Sequence, residues 1–62
     1  MSPLLHTVEG AMERLNYGRT TVYELIASGE LESVKVGRSR RIPEAALIEY
    51  VERLRAQSKA AV

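Results

Sequence analysis

The chain has 62 residues, a formal net charge of +1 and no cysteine. A chain this short forms one small, marginally stable domain with little room for a deep substrate pocket, and without cysteine it has neither a disulfide framework nor a thiolate metal site. With no long apolar run and no secretory signal pattern, we expect a soluble cytoplasmic protein that binds no cofactor, metal, membrane or small-molecule substrate.

The first predicted helix lies in HTVEGAMERLN and starts after Thr7, a suitable N-cap residue. The helix is expected to end near Asn16, and NYG is expected to form a three-residue turn. His6, a lone histidine before the cap, is expected to have a local capping or surface role. One helix face has apolar residues at the spacing i, i+3, i+4, i+7: Val8, Ala11, Met12 and Leu15.

The second predicted helix is RTTVYELIAS, capped by Gly18 and closed by Gly29. A rotation of about 100° per residue places Val22, Leu25 and Ile26 on the buried side. The opposite side then carries short polar side chains that can form hydrogen bonds. The residues on or beside this outer side are Arg19, Thr20, Thr21, Tyr23, Glu24 and Ser28.

After Gly29 the pattern changes to the alternation that is typical of strands. Val34 and Val36 alternate with polar residues, and Ile42 restores an apolar position after a turn predicted at residues 37–39. The sequence therefore predicts a two-stranded hairpin, the wing, at residues 34–43. Between Tyr17 and Arg41 the chain has five cations and three acids, and from residue 35 onward this segment has no acid.

Pro43 suits the first turn of a third helix. Its apolar residues again follow the helical spacing: Leu47, Tyr50, Val51 and Leu54. The last residues, SKAAV, have nothing to pack against, so we predict one domain at 1–57 and a disordered tail at 58–62. The order helix, tight turn, helix, basic hairpin, helix predicts a mainly α protein with a small β-hairpin, a winged helix-turn-helix.

The outer side of the second helix is a candidate reader of DNA bases. A glutamate can accept a hydrogen bond from cytosine, and a threonine methyl can contact thymine. The amides at the start of the helix also favour a phosphate. The alternative is an ordinary polar helix face, which this pattern alone does not exclude.

The wing is a candidate contact to the DNA backbone and minor groove. A slim tip containing glycine and serine fits a minor groove, where arginine is favoured. Arg38 and Arg40, two residues apart, are expected to share one side of a strand, with Arg41 on the other. The alternative is a basic edge strand that resists aggregation, but the helix-turn-helix immediately upstream favours DNA. The residues of this candidate site are Lys35, Gly37, Arg38, Ser39, Arg40 and Arg41.

Catalysis is not expected from this sequence. It contains no Ser/His/Asp set, no paired carboxylates at catalytic spacing and no glycine-rich loop that could cradle a phosphate. His6 alone cannot build a metal centre. The sequence thus predicts a binding protein rather than an enzyme.

Three segments in their order, RTTVYELIASGEL, VKVGRSRRIP and EAALIEYV, resemble the excisionase-type winged helix-turn-helix domain, which is related to the DNA-binding domains of MerR-like regulators. The resemblance covers residues 5–54. It implies that the helix from Arg19 reads the major groove and that the wing at 37–41 contacts the backbone and minor groove. Two positions depart from the family pattern: Gly10 replaces an acidic residue, and Gly18 replaces a capping Ser or Thr.

The resemblance also implies a function in DNA recombination. Excisionases, or recombination directionality factors, bind repeated sites beside an attachment sequence, bend the DNA, often assemble side by side and favour excision of a phage or integrative element by an integrase, a tyrosine recombinase. The expected location is then the cytoplasm of a bacterial host. Two alternatives stay open: a small winged-helix regulator of transcription, and a protein-interaction module that uses the helix at 47–54.

Overall fold

A computed structural model describes residues 4–60 of the chain. The order of helices and hairpin strands agrees with the sequence prediction, so the mainly α winged helix-turn-helix is confirmed. In the part of the chain that the structure describes, no helix is long and apolar enough to cross a bilayer. The elements are β1 (Leu5–His6), α1 (Val8–Leu15), α2 (Arg19–Ser28), β2 (Val34–Val36), β3 (Ser39–Pro43) and α3 (Glu44–Ala60).

Local capping interactions set both ends of α1. The Thr7 hydroxyl accepts a hydrogen bond of 2.9 Å from the Gly10 amide, which confirms the predicted N-cap. At the other end Asn16 adopts the left-handed conformation with a φ of 59°. Asparagine tolerates this conformation better than most residues, so the chain can leave α1 and enter α2 after a short turn.

Glycines bound α2 at both ends, as predicted. Gly18 is the N-cap and gives no side-chain hydrogen bond, whereas Gly29 ends the helix with a φ of 84°. The reversed chain then places the Leu31 amide 3.1 Å from the Leu25 carbonyl oxygen. As a result Leu31 is directed into the core, where only 1% of its surface is exposed.

Strand β3 lies at the centre of a three-stranded antiparallel sheet with the order β1-β3-β2. The sequence predicted only two strands; β1 is an addition, paired through His6 opposite Ile42. The turn is also shorter than predicted, because Val36 pairs with Ser39 and only Gly37 and Arg38 lie between them. Gly37 has a φ of 61°, which suits the first position of a two-residue type II′ turn.

Both boundaries of α3 differ from the prediction. Pro43 is the last residue of β3, and the helix begins at Glu44, whose amide donates to the Leu4 carbonyl oxygen at 2.8 Å. At the other end α3 extends to Ala60, although a disordered tail was predicted from residue 58. Residues 61 and 62 of that tail lie outside the described residues. Continuous helical hydrogen bonding carries the last turns beyond the packed part of the domain.

The core lies between the three helices and the inner face of the sheet. Val51 and Leu54, predicted on the buried face of α3, are 40% and 37% exposed because the helix runs past this small core. Tyr50 is buried as predicted, and its ring meets that of Tyr17 edge to face at 6.3 Å. The buried apolar residues are Val8, Ala11, Val22, Leu25, Leu31, Ile42, Ala46, Leu47 and Tyr50.

A polar cluster joins β1, α1 and α3. Of the two roles predicted for His6, local capping or a surface role, the surface role is wrong because His6 is buried; its Nε2 atom lies 2.6 Å from Oε1 of Glu44, the first residue of α3. Arg14 Nη2 donates to the other carboxylate oxygen of Glu44, also at 2.6 Å. The Arg14 hydrogen bond, followed by that of His6, lowers the pKa of Glu44 below its usual range.

We expect Glu44→Gln to reduce stability at neutral pH but not in acid. Because the folded-state pKa of Glu44 is lowered, the carboxylate stabilises the fold above its ordinary pKa of 4.5, and this contribution is lost as the pH falls through the folded value. Urea unfolding at pH 7 and in steps below pH 4.5 measures the difference. Glu52→Gln, in an exposed pair with Arg55, is the control. A difference that stays constant with pH contradicts this role of Glu44.

Candidate nucleic-acid interface

The outer side of α2 is exposed as the sequence predicted. Val22 is fully buried and Leu25 is 8% exposed, so these residues fix the helix against the core. The helical rotation then turns the polar side chains towards solvent. All six predicted residues of this side are exposed: Arg19, Thr20, Thr21, Tyr23, Glu24 and Ser28.

These side chains differ in whether they are already engaged. Within residues 4–60, the side chains of Thr20, Thr21 and Glu24 make no hydrogen bond, so their polar groups are available to a partner. The Ser28 hydroxyl is engaged instead: it donates to the Leu25 carbonyl oxygen at 3.1 Å and accepts from the Glu30 amide at 3.4 Å. Ser28 therefore helps to close the helix, a use that the sequence did not indicate.

Arg19, the first residue of α2, forms a weak ion pair with α1. Its Nη1 atom lies 3.4 Å from Glu9 Oε2, and the two side chains are 55% and 59% exposed. Exposed pairs of this kind contribute little to stability and are screened by salt. Arg19 can therefore exchange Glu9 for another anion at little cost.

The register of the wing decides which cations share a face. Lys35 pairs directly with Arg40, so both project on one face of the hairpin. Arg41 lies opposite Val34 on the other face, as the predicted alternation requires. Arg38 lies in the turn, so the prediction that it shares a strand side with Arg40 is wrong. The shorter turn is the reason for this change.

Two hydrogen bonds constrain the wing arginines. Arg40 Nη1 donates to the Ser33 hydroxyl at 2.8 Å, and Arg41 Nη1 donates to the Arg40 carbonyl oxygen at 3.0 Å. Ser33 is half-buried and directly precedes β2. Sequence reasoning did not identify Ser33, because its contact with Arg40 depends on the register of the hairpin.

The wing has an excess of positive charge that the fold does not neutralise. Within the described range 4–60, none of Lys35, Arg38, Arg40 and Arg41 lies within 4.0 Å of a carboxylate oxygen. Like charges placed directly opposite on paired strands repel each other, as Lys35 and Arg40 do. A bound polyanion would relieve this repulsion.

The rest of the described surface contains grooves but no cluster of metal-ligating side chains. Residues 4–60 contain no group of three or more side chains that could hold a metal ion. A groove of about 270 Å³ between α1 and α3 shares no residue with the outer side of α2 or with the wing. It is lined by Arg14, Leu15, Leu47, Ile48, Val51 and Glu52.

Comparison with known proteins places these features in a family. Residues 7–55 match the family described as helix-turn-helix domain. The chain is 55% identical over 58 residues to a protein of Saccharopolyspora erythraea named "Probable excisionase", and these residues are 94% of this chain but only 59% of that protein. It is 38% identical over 52 residues to an "Excisionase" of Streptomyces ambofaciens, covering 84% of each chain. No solved structure gives a significant match. The chain therefore belongs to the family of excisionase-type helix-turn-helix domains.

Proposed function

We propose that this protein is a DNA-binding excisionase, a recombination directionality factor that binds and bends attachment-site DNA. The observation that carries the proposal is the basic wing, whose cations have no carboxylate partner within residues 4–60 and which follows a helix-turn-helix with an exposed polar second helix. The names of its two relatives support the same function. A protein of this family is a DNA-binding protein and not an enzyme.

In this proposal α2 enters the major groove and reads bases. The unengaged side chains of Thr20, Thr21 and Glu24 have the chemistry for this: hydroxyls that donate or accept, methyl groups for thymine and a carboxylate for the cytosine amino group. Arg19 releases Glu9 and takes a phosphate. Tyr23 is 46% exposed, so its hydroxyl can reach a phosphate of the DNA backbone beside the major groove.

The wing supplies contacts that do not depend on sequence. Arg38, at the tip of the two-residue turn, is the residue best placed to enter a minor groove, and Gly37 and Ser39 keep the tip slim. Lys35, Arg40 and Arg41 provide charge for the phosphates on either side. Contacts to two neighbouring grooves favour bent DNA, because bending lets the duplex follow the protein surface.

The biological outcome of binding is, in this proposal, excision of a phage or integrative element. Bent DNA would assist an integrase, a tyrosine recombinase, to assemble on the attachment site. Copies bound at neighbouring sites would associate side by side. These partners are proposed from the excisionase resemblance and not from a contact in the structure.

The salt dependence of binding tests the wing. With about four phosphate contacts, raising salt from 50 to 200 mM should weaken duplex binding roughly a hundredfold. Arg38→Ala combined with Arg40→Ala should lower affinity for every duplex and reduce the slope of log K against log salt by at most about 1.8, the value for two phosphate contacts. Fluorescence anisotropy with a labelled duplex measures this slope.

Arg55→Ala combined with Lys59→Ala is the matched control, because it also removes two positive charges, but from the exposed part of α3. This variant should keep the slope of the unaltered protein. An equal reduction in both double variants would mean that only the net charge matters, and would contradict the wing assignment.

Substitutions on α2 should change sequence preference instead. Thr20→Ala or Glu24→Ala should each relax discrimination at one base position by about 1–3 kcal/mol, with little effect on random DNA. Competition binding with singly substituted sites measures the preference. Glu49→Ala, an exposed glutamate of α3, is the control for Glu24→Ala. Equal losses on specific and random DNA would argue against α2 as the reader.

A recombination assay tests excision itself. Attachment-site DNA is incubated with an integrase that acts on that site, with and without this protein, and the excised product is quantified. Excision should rise when the protein is added, and a footprint should show tandem direct repeats beside the attachment core. Unchanged excision combined with a palindromic footprint would contradict the proposal and favour a dimeric regulator of transcription.

A further inference from the structure

We propose that Ser33 is a positioning residue for DNA binding, which holds the Arg40 guanidinium beside Lys35 so that the two form one phosphate clamp. This inference rests on the proposed function and goes further, because it separates one face of the wing from the tip and assigns a role to a residue outside the basic segment. The clamp consists of Ser33, Lys35 and Arg40.

The geometry of the hairpin brings these three residues together. Lys35 and Arg40 are direct partners in the antiparallel register, which puts their Cβ atoms on the same face about 4.5–5.5 Å apart. Ser33 directly precedes β2, and its contact with Arg40 places its hydroxyl on the same face. A hydrogen bond of 2.8 Å from Arg40 Nη1 to Ser33 Oγ links Ser33 to Arg40.

The hydrogen bond matters because an exposed arginine is otherwise mobile. Repulsion by Lys35 would drive the Arg40 guanidinium away, and its several rotatable bonds would have to be ordered when a phosphate binds. Ser33 is half-buried and its side chain is short, so accepting this hydrogen bond costs it little conformational entropy. It occupies one donor of the guanidinium and leaves the others to bind a phosphate oxygen together with the Lys35 ammonium group.

The other wing arginines do not belong to this clamp. Arg41 projects on the opposite face, and its Nη1 atom donates to the Arg40 carbonyl oxygen at 3.0 Å. Arg38 is in the turn, beyond the last strand pair of Val36 and Ser39. The ligand of the clamp is thus one phosphate group of a nucleic-acid backbone. This contact is independent of the base that Arg38 contacts at the tip of the wing.

A double-mutant cycle tests the inference by anisotropy with one labelled duplex. Ser33→Ala should lower affinity about threefold to tenfold, and Ser33→Thr, which keeps the hydroxyl, should restore most of it. In an Arg40→Ala background Ser33→Ala should have no further effect, since Ser33 acts through Arg40. A merely structural role would give the same loss in both backgrounds, and that result, or no loss at all, overturns the inference.

A second measurement needs no DNA. In the free protein, nitrogen-15 NMR of the arginine side chains should show slowed rotation of the Arg40 guanidinium, and Ser33→Ala should remove it while Ser58→Ala does not. A freely rotating Arg40 in the unaltered protein overturns the positioning role.

The binding measurements separate failure of this inference from failure of the proposed function. If the unaltered protein binds duplexes with strong salt dependence but Ser33→Ala does not change the affinity, only this inference fails. If it binds no duplex at all, the proposed function fails and the clamp with it.

Discussion

Strand β3 is the segment on which both the core and the candidate interface depend. Its residue Ile42 is fully buried and pairs with His6 across the β1 edge, while Arg40, on the same face of the strand two residues earlier, is exposed. One short strand therefore runs from the centre of the core out to the tip of the wing. The packing of Ile42 fixes the orientation of the hairpin relative to the core.

A polar cluster of His6, Glu44 and Arg14, of which only His6 is buried, accompanies this small core. A chain of 62 residues buries few large apolar side chains. Hydrogen bonds from His6 and Arg14 to Glu44 add links between β1, α1 and the start of α3. Together with the amide contact from Glu44 to the Leu4 carbonyl oxygen, they hold β1 against β3. These polar contacts thus help to secure β1 beside β3.

Much of the candidate interface could be predicted because its parts are local. The N-cap at Thr7 and the closing glycine at position 29 depend on neighbouring residues, and the exposed side of α2 follows from the rotation of one helix. The contacts of Ser33 could not be predicted in the same way. Its bond to Arg40 spans seven residues and depends on a two-residue turn, whereas the sequence suggested three. One residue more or less in a turn changes which side chains meet.

The sequence by itself determined the order of the helices, the caps of α1 and α2, the polar outer side of α2 and the concentration of cations in the wing. These features follow from helical rotation, capping chemistry and composition, which act over a few residues. Only the tertiary structure decided the pairing of β1, the burial of His6, the exposed end of α3 and the face shared by Lys35 and Arg40. Each of these features depends on contacts between segments that are distant in the sequence. The packing of the core around Ile42 sets the geometry of these contacts.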